Sequence, residues 1–599
     1  MEVRRKWFRR VTLLWLAVSL GVLAGVAQAD GGGGGRKEAL YIYPMQGEVL
    51  GSTDADAIAL KLGLKPPGPA NGATAPPGTM LFVDASNHVR MLFMDGSVRI
   101  FPDLTDPTAV ELPGRGQSVR FAETFLRGLG ISGSPAMLGV GEIVTLTQQP
   151  AQMGSPTGAA VGGNGGVTLG KRKDVLRTVE FRQMLDGLPV YGPTSILSLD
   201  IGPGGVVLGG AIHLRKIGPH GPAVSPISPG DALKQFLTEF PYKVTTGEGE
   251  DDDDAKPPAG GTSKNAPKTG AATVPDLTGR LVSENLIYFE QGGGNLQPAY
   301  LFHVLLMGPT GLQTGLDWLV PAVLQTPEPI LNHPITEGPS PILASPSTIL
   351  PALVCEQPPD IKYGRYILRE DDPGWLVDVQ GFGSNIDGAN AALRFWLPTF
   401  PAVNNYQYYW NYPWLWEPTG SPPTDDSPSF PGSVNVALIE GHGGPWIIST
   451  LKNCCDAIDL PLITGFGGYH NPAEITDYVI WQSCDVVPAP GDPYGHDFQS
   501  PATPFDLWFN LFQGLRGTYG YRTTMNIWNG VGKAMGGDMG FGAQNLSAWF
   551  TECNNNVFGH NSGWNYGSAV LISGHEGDTI YDTCPLSPPG SLTIWWQHP

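Results

Sequence analysis

The sequence predicts an α/β protein: a doubly wound, mostly parallel sheet in the C-terminal part, preceded by an α+β module. Three observations lead there. From about Tyr363 onward, short apolar runs bounded by turn residues alternate with helically periodic stretches, the pattern of strands and crossover helices. Within that region two apolar runs, residues 434–440 and 477–483, read as strands buried on both faces. Upstream, residues 176–208 alternate apolar and polar side chains and break at turn residues, as an antiparallel meander does.

With 599 residues the chain exceeds one core, and length alone suggests about two to four domains. Gly (81) and Pro (57) are abundant and charged residues make up only 15%, but 41% hydrophobic residues can bury ample apolar surface. A net charge of -20 argues against nucleic acid and anionic membrane surfaces as partners. Residues 1–29 match a secretory signal peptide: Arg4, Arg5, Lys6, Arg9 and Arg10, an apolar run over 11–26, then Ala27-Gln28-Ala29. An uncleaved anchor is the alternative, because the run is near the lower limit for a span. The expectation is a secreted, periplasmic or cell-surface protein with no stable membrane span after cleavage.

Taken in order, residues 30–170 offer a hairpin at 80–84 and 89–95 and a helix over 117–129, where Val119, Phe121, Phe125 and Leu126 recur with helical spacing. No chemistry is assigned there, and His88 reads as a turn residue. Residues 171–324 begin with strands at 176–184, 188–191 and 195–201, joined through Asp186-Gly187 and followed by Gly202-Pro-Gly-Gly and a short strand at 206–208. A helix over 229–240 has Ser228 as N-cap and Pro229 at its first position. Strands at 286–289 and 299–306 and a closing segment at 318–322 follow. The acidic, Pro/Gly-rich stretch 247–272 reads as a solvated tether, since it lacks the spacing of a calcium loop. A second Pro-rich linker covers 325–360, and a zymogen would be cut there.

Val179-x-Phe-x-Gln183, Asp186-Gly-Leu-Pro-Val-Tyr-Gly192 and Pro298-Ala-Tyr-Leu-Phe302 resemble the FTP and PepSY propeptide modules of secreted peptidases. The resemblance covers about 150 residues of the 171–324 segment. It implies a module that inhibits or chaperones the enzyme it precedes. Such modules usually precede zinc peptidases with His-Glu-x-x-His, a motif this chain lacks: His575-Glu576 has no second His.

Residues 361–599 read as one α/β domain. A strand is expected at 374–380, a helix over 386–397, and an aromatic loop over 401–432 with Tyr406, Tyr408, Tyr409, Trp410, Tyr412, Trp414 and Trp416. Further strands are expected at 434–440, 446–450, 478–483, 514–520 and 567–573, with a helix over 504–512 carrying Asp506 in its first turn. The strand at 434–440 runs into Gly441-His442-Gly443-Gly444, and that at 477–483 delivers Cys484. This would set both side chains at the carboxyl edge of one sheet, where open α/β sheets keep their sites. A His in reach of a Cys can take the thiol proton and create a reactive thiolate.

Glu440-Gly-His442-Gly443 and Trp481-Gln-Ser-Cys484, in that order and about forty residues apart, resemble the caspase, legumain and gingipain superfamily of cysteine peptidases. The domain is similar to an uncharacterised bacterial family of that superfamily. The resemblance implies a caspase-hemoglobinase-like domain behind a propeptide-like module. It further implies Cys484 as nucleophile and His442 as proton-transfer partner, with the backbone N–H groups of Gly443 and Cys484 stabilising the oxyanion. Gly at 443 suits the close approach of a substrate. Glu440 is a candidate for orienting His442, whereas a carboxylate at Asp485 would hinder thiol ionisation. The partner would be a peptide or protein substrate.

The six cysteines are Cys355, Cys454, Cys455, Cys484, Cys553 and Cys584. In an exported chain most would be oxidised, and one of Cys454 and Cys455 is expected to bridge to Cys553 or Cys584. Two rival readings stand beside the cysteine peptidase. A metal hydrolase would draw on His470, His496, His560 and His575 with Asp492, Asp497 and Asp578, but no pair has helical ligand spacing. No cofactor is expected beyond a structural calcium ion on loop carboxylates. A non-catalytic extracellular binding protein would use the aromatic stretch 406–416 as a platform, where ordinary packing over the sheet is the plainer explanation. Gly536 to Gly542 is no nucleotide loop, lacking the lysine and the preceding strand.

Overall fold

Alternating apolar residues and paired turn residues dominate the chain, and strands dominate the result. A computed structural model describes residues 39–599 apart from 68–77, 106–110, 132–136, 154–166, 246–277, 308–312, 331–359, 451–456, 493–503 and scattered stretches of one to four residues. Tyr41–Pro599 form one compact unit. The segments expected to be a signal peptide (1–29), an acidic tether (247–272) and, for the most part, a Pro-rich linker (325–360) lie outside the described residues. No helix among the described residues is long and apolar enough to cross a membrane.

The N-terminal half opens with β1 (Tyr43–Glu48), the Ser52–Lys61 helix, β2 (Thr79–Val83), β3 (Val89–Met94), β4 (Ser97–Ile100) and the Arg115–Gly128 helix. Next come β5 (Met137–Met153), β6 (Val167–Leu169), β7 (Lys173–Leu185), β8 (Leu188–Tyr191), β9 (Ser195–Ile201) and β10 (Val207–Ile217). The Pro229–Glu239 helix starts at the Ser228 hydroxyl, which accepts from the Asp231 N–H as an N-cap does. Then follow β11 (Lys243–Thr245), β12 (Thr278–Phe289), β13 (Asn295–Met307) and β14 (Gln313–Pro321).

The C-terminal half has β15 (Asp360–Ile367), the Pro373–Trp396 helix, β16 (Ala402–Trp410), the short pair β17 (Thr419–Gly420) and β18 (Pro423–Thr424), then β19 (Val436–Glu440). It continues through β20 (Gly443–Gly444), β21 (Ile447–Ser449), β22 (Ala457–Asp459), β23 (Tyr478–Gln482), the Pro504–Leu511 helix and β24 (Gly517–Tyr521). The Val531–Gly540 and Asn545–Asn554 helices, β25 (Gly567–Ile572) and β26 (Ser591–His598) complete it.

In the C-terminal half the spatial order is β16-β15-β19-β23-β24, all parallel, and the order reverses between β15 and β19. β25 and β26 extend the sheet antiparallel. The sheet does not stop there: β26 pairs along Ser591–His598 with β5, and β7, β9, β10, β4, β3 and β2 follow. The two halves therefore share one mixed sheet. A second, smaller sheet, joined to the first through β1 and β8, runs β12-β13-β14 and continues into β20, β21 and β22.

The expected strand at 374–380 is instead the start of a 24-residue helix. Pro373 suits a first helical position, and the buried Val379, Phe382, Ile386, Ala389 and Leu393 continue at helical spacing. The first strand of this half is β15, just ahead of it. Part of the expected aromatic loop is the edge strand β16: its Tyr408 lies over the Arg365 guanidinium at 4.3 Å and its Tyr406 under Lys362 at 4.4 Å. Within the Val531–Gly540 helix, a side chain at Gly536 or Gly540 would stand 2.6 Å from the carbonyl oxygen of Phe382 or Ile386, so glycine lets the two helices touch by their backbones.

Candidate active site

β19 and β23 lie inside the sheet, and their VALIE and YVIWQ segments are buried at every position, as parallel strands covered on both faces must be. Ala437, Ile439, Val479 and Trp481 face an aromatic core with Trp416, Trp446, Phe466 and Trp508. The register pairs Glu440 with Gln482, the last residue of each strand. His442 and Cys484 each follow that pair by two residues. The outgoing segments stay together: Gly441 N–H reaches Gln482 O at 3.5 Å, and Ser483 Oγ donates to Gly441 O at 2.8 Å. At Gly443 a Cβ would lie 2.2 Å from Ser483 Oγ, 2.4 Å from the Cys484 carbonyl oxygen and 2.9 Å from the Cys484 nitrogen. The backbone of Gly443 thus rests directly on Cys484, which no residue with a side chain would permit.

His442 is the point where the chain passes from one sheet to the other, because β19 belongs to the large sheet and β20 to the small one. The thiol of Cys484 lies against Met525: the Met525 N–H donates to Sγ at 3.2 Å, and the S–H reaches the Met525 carbonyl at 3.7 Å. Asp485 turns the chain with φ of 55°, a left-handed conformation uncommon for a side chain with a Cβ. His442 is 3% exposed, and Glu440 and Cys484 are fully buried.

Around this edge the structure adds residues that the sequence reading missed. Asp378, on the Pro373–Trp396 helix, is buried and packs with Gln482 around Gly532. Burial pushes its carboxyl up to about 6, against N–H bonds from Gly530 and Lys533 and the Lys533 charge. Asn526, next to Met525, donates through Nδ2 to Asp317 of β14, whose other oxygen pairs with His303 of β13. Burial pulls the His303 pKa down, but the Asp317 charge and hydrogen bond raise it overall. Asp317 and Asn526 are 209 residues apart, and no local pattern links them.

The residues of the metal reading are dispersed. Buried His560 pairs with Glu180 of the N-terminal half and stacks on Tyr566 at 4.7 Å. His575 meets Asp578 at 2.9 Å, Arg516 bonds the same carboxylate, and Asp492 pairs with Arg522. Among the described residues no three His, Cys, Asp or Glu side chains are gathered where they could hold a metal ion. His470, His496 and Asp497 lie outside the described residues, as do Cys355, Cys454, Cys455 and Cys584. Cys553 is a free, buried thiol, which removes it as one of the two expected bridge partners and leaves Cys584; it fills the Asn545–Asn554 helix face against Gly567. Trp416 is buried in the core and Trp414 packs edge-on to Phe430 at 5.2 Å. These contacts are ordinary packing, and they absorb two rings of the suggested platform.

No protein-family model matches the chain, and no curated protein sequence does. Among solved structures, an uncharacterised protein from Eubacterium rectale ATCC 33656 is 8% identical and covers 49% of this chain and 86% of its own, with a TM-score of 0.29. A likeness that loose bears on neither fold nor function.

Proposed function

We propose that the chain is an exported cysteine-peptidase-like hydrolase. In this reading the Cys484 thiolate attacks a peptide carbonyl, and His442 takes the thiol proton and later passes it to the leaving amine. The N–H groups of Gly443 and Cys484 hold the oxyanion, and Glu440, buried at the end of β19, remains the candidate for orienting the imidazole. The observation that carries the reading is the Glu440–Gln482 register, which puts His442 and Cys484 at the same step beyond adjacent parallel strands. The close contact of Gly443 with Cys484 supports it, as does the β16-β15-β19-β23-β24 order, whose reversal lies beside these strand ends. The caspase-hemoglobinase-like assignment of this half, and the propeptide-like role of the N-terminal half, rest on the sequence resemblances.

Burial of the thiol favours a second reading, a non-catalytic extracellular binding protein. Turnover of a fluorogenic peptide library, before and after limited proteolysis, separates the two. Cys484→Ala, His442→Ala or alkylation should each abolish cleavage, with a loss of at least about a thousandfold for the nucleophile, while a chelator leaves it unchanged. Cleavage that survives Cys484→Ala rejects the proposal. Absence of cleavage from a processed protein whose Cys484 reacts freely with alkylator supports the binding protein.

A further inference from the structure

The extended backbone of β14 runs from Gly443 to Met525, two residues that each touch Cys484. Gln313 of β14 pairs antiparallel with Gly443. In the β20–β21 hairpin the Ser449 N–H donates to the His442 carbonyl at 2.8 Å, so 442 and 449 form a hydrogen-bonded pair and 443 with 448 the open one. The N–H and C=O of Gly443 therefore face away from β21 and towards Gln313. Two residues on, the Gly315 N–H donates at 3.0 Å to the carbonyl of Met525, the residue that also holds Cys484 Sγ. Gln313 to Gly315 thus bridge the two backbone segments that touch Cys484. A Cβ on Gly315 would stand 2.7 Å from Asn526 Oδ1 and 2.7 Å from the Trp564 ring, so the wall there accepts only a residue without a side chain. Further along, Asp317 fastens the strand to Asn526 and is itself backed by His303.

We propose that residues 313–315 occupy the track of an extended peptide substrate, so that the N-terminal half shuts the site by filling it. Backbone pairing of this kind is how an exposed strand edge recognises peptides, with main-chain bonds giving affinity and local walls giving selectivity. The ligand class is an extended peptide that pairs with Gly443 and carries glycine two residues after the pairing position. The inference rests on Cys484 as the reactive centre, yet its test needs no turnover.

Iodoacetamide labelling of Cys484, read by peptide mapping, provides that test. In the parent chain it should run at least about a hundredfold slower than in the urea-unfolded chain. Gly315→Val, which drives a side chain into Asn526 and Trp564, and Asn526→Asp, which sets a second carboxylate against Asp317, should each raise the rate at least about tenfold without loss of circular dichroism. A Gln-Thr-Gly-Leu-Asp-Trp peptide should slow labelling of the variants again, and Gln-Thr-Val-Leu-Asp-Trp should not. Fast labelling of the parent, unchanged labelling in a folded variant, no protection by the first peptide, or equal protection by both overturns the proposal. Where both substitutions prevent folding, hydrogen exchange on the parent decides: the Gly315 and Gly443 amides should open at the rate at which Cys484 labels. A Cys484 that labels more than about tenfold faster than Gly315 opens rejects β14 as the cover. Labelling that behaves as expected in a chain that never cleaves peptides keeps the strand pairing and removes only the hydrolase.

Discussion

A methyl group added to Gly443 would sit 2.2 Å from Ser483 Oγ and 2.4 Å from the Cys484 carbonyl oxygen. The hydroxyl can rotate away, but the carbonyl belongs to backbone leaving a central strand and cannot yield without moving Cys484. Gly443→Ala should therefore destabilise the fold by about 2–4 kcal/mol, read by urea unfolding, and slow any Cys484-dependent cleavage more than the stability loss explains. Wild-type stability for this variant would mean that the two segments are not in contact. At this scale the position of His442 and Cys484 just beyond two buried strands was legible, because each lies within two residues of the end of an apolar run. Met525, Asn526 and Asp317 were not, because their relation to the thiol is made by backbone atoms and by a contact across 209 residues.

At the scale of elements, the β13–β14 ribbon brings a buried His303–Asp317 pair up to Asn526. Among the described residues the charged groups meeting there are His303 and Asp317 themselves; Asn526 and the Trp564 ring beside His303 are uncharged. Because the folded-state pKa of His303 is raised, its stabilisation is fully present below the unfolded value of about 6.5 and is lost as pH rises through the folded value. His303→Gln should cost about 3 kcal/mol at pH 6, the order expected for breaking a buried pair, and progressively less towards alkaline pH. Urea unfolding of both proteins from pH 6 to pH 9 measures this, and a constant difference between them would show that His303 does not titrate against Asp317. Element identity was legible wherever periodicity was long and turn chemistry clear: Asp186 and Gly187, both at positive φ, close the β7–β8 hairpin as expected. It failed at residues 374–380, where valines at 377 and 379 imitate strand alternation and only the burial of Val379, Phe382, Ile386 and Leu393 reveals the helical face. It failed again at β16, whose aromatic crowd suggested a loop although its residues pair in parallel with β15 on both sides of a bulge at Tyr406.

For the whole molecule the decisive feature is the seam between halves. The last strand, β26, pairs from Ser591 to His598 with Gln152 to Thr145 of β5, so separating the halves would leave two long unpaired edges. Buried charges cross the same boundary: Arg99 bonds Glu552 at 2.8 Å and approaches Asp538 at 3.8 Å, and Glu180 pairs with His560. Removing one partner of such a pair strands the other in a low-dielectric interior, at a cost of about 3–5 kcal/mol each. None of this was readable beforehand, since β5 and β26 meet from opposite ends of the chain and each reads as an ordinary strand. The division into an N-terminal module and a C-terminal domain describes the order of the sequence, while cooperativity should belong to the joined sheet. Residues 39–324 and 360–599, expressed separately, should each aggregate or bind a hydrophobic dye, whereas co-expression should give a soluble one-to-one complex. A protease site engineered between 331 and 359 should, once cut, leave the pieces together through size exclusion until denaturant parts them in a single transition. A C-terminal half that stays soluble, monomeric and natively folded by near-ultraviolet circular dichroism would show instead that the seam is a docking contact between independent domains.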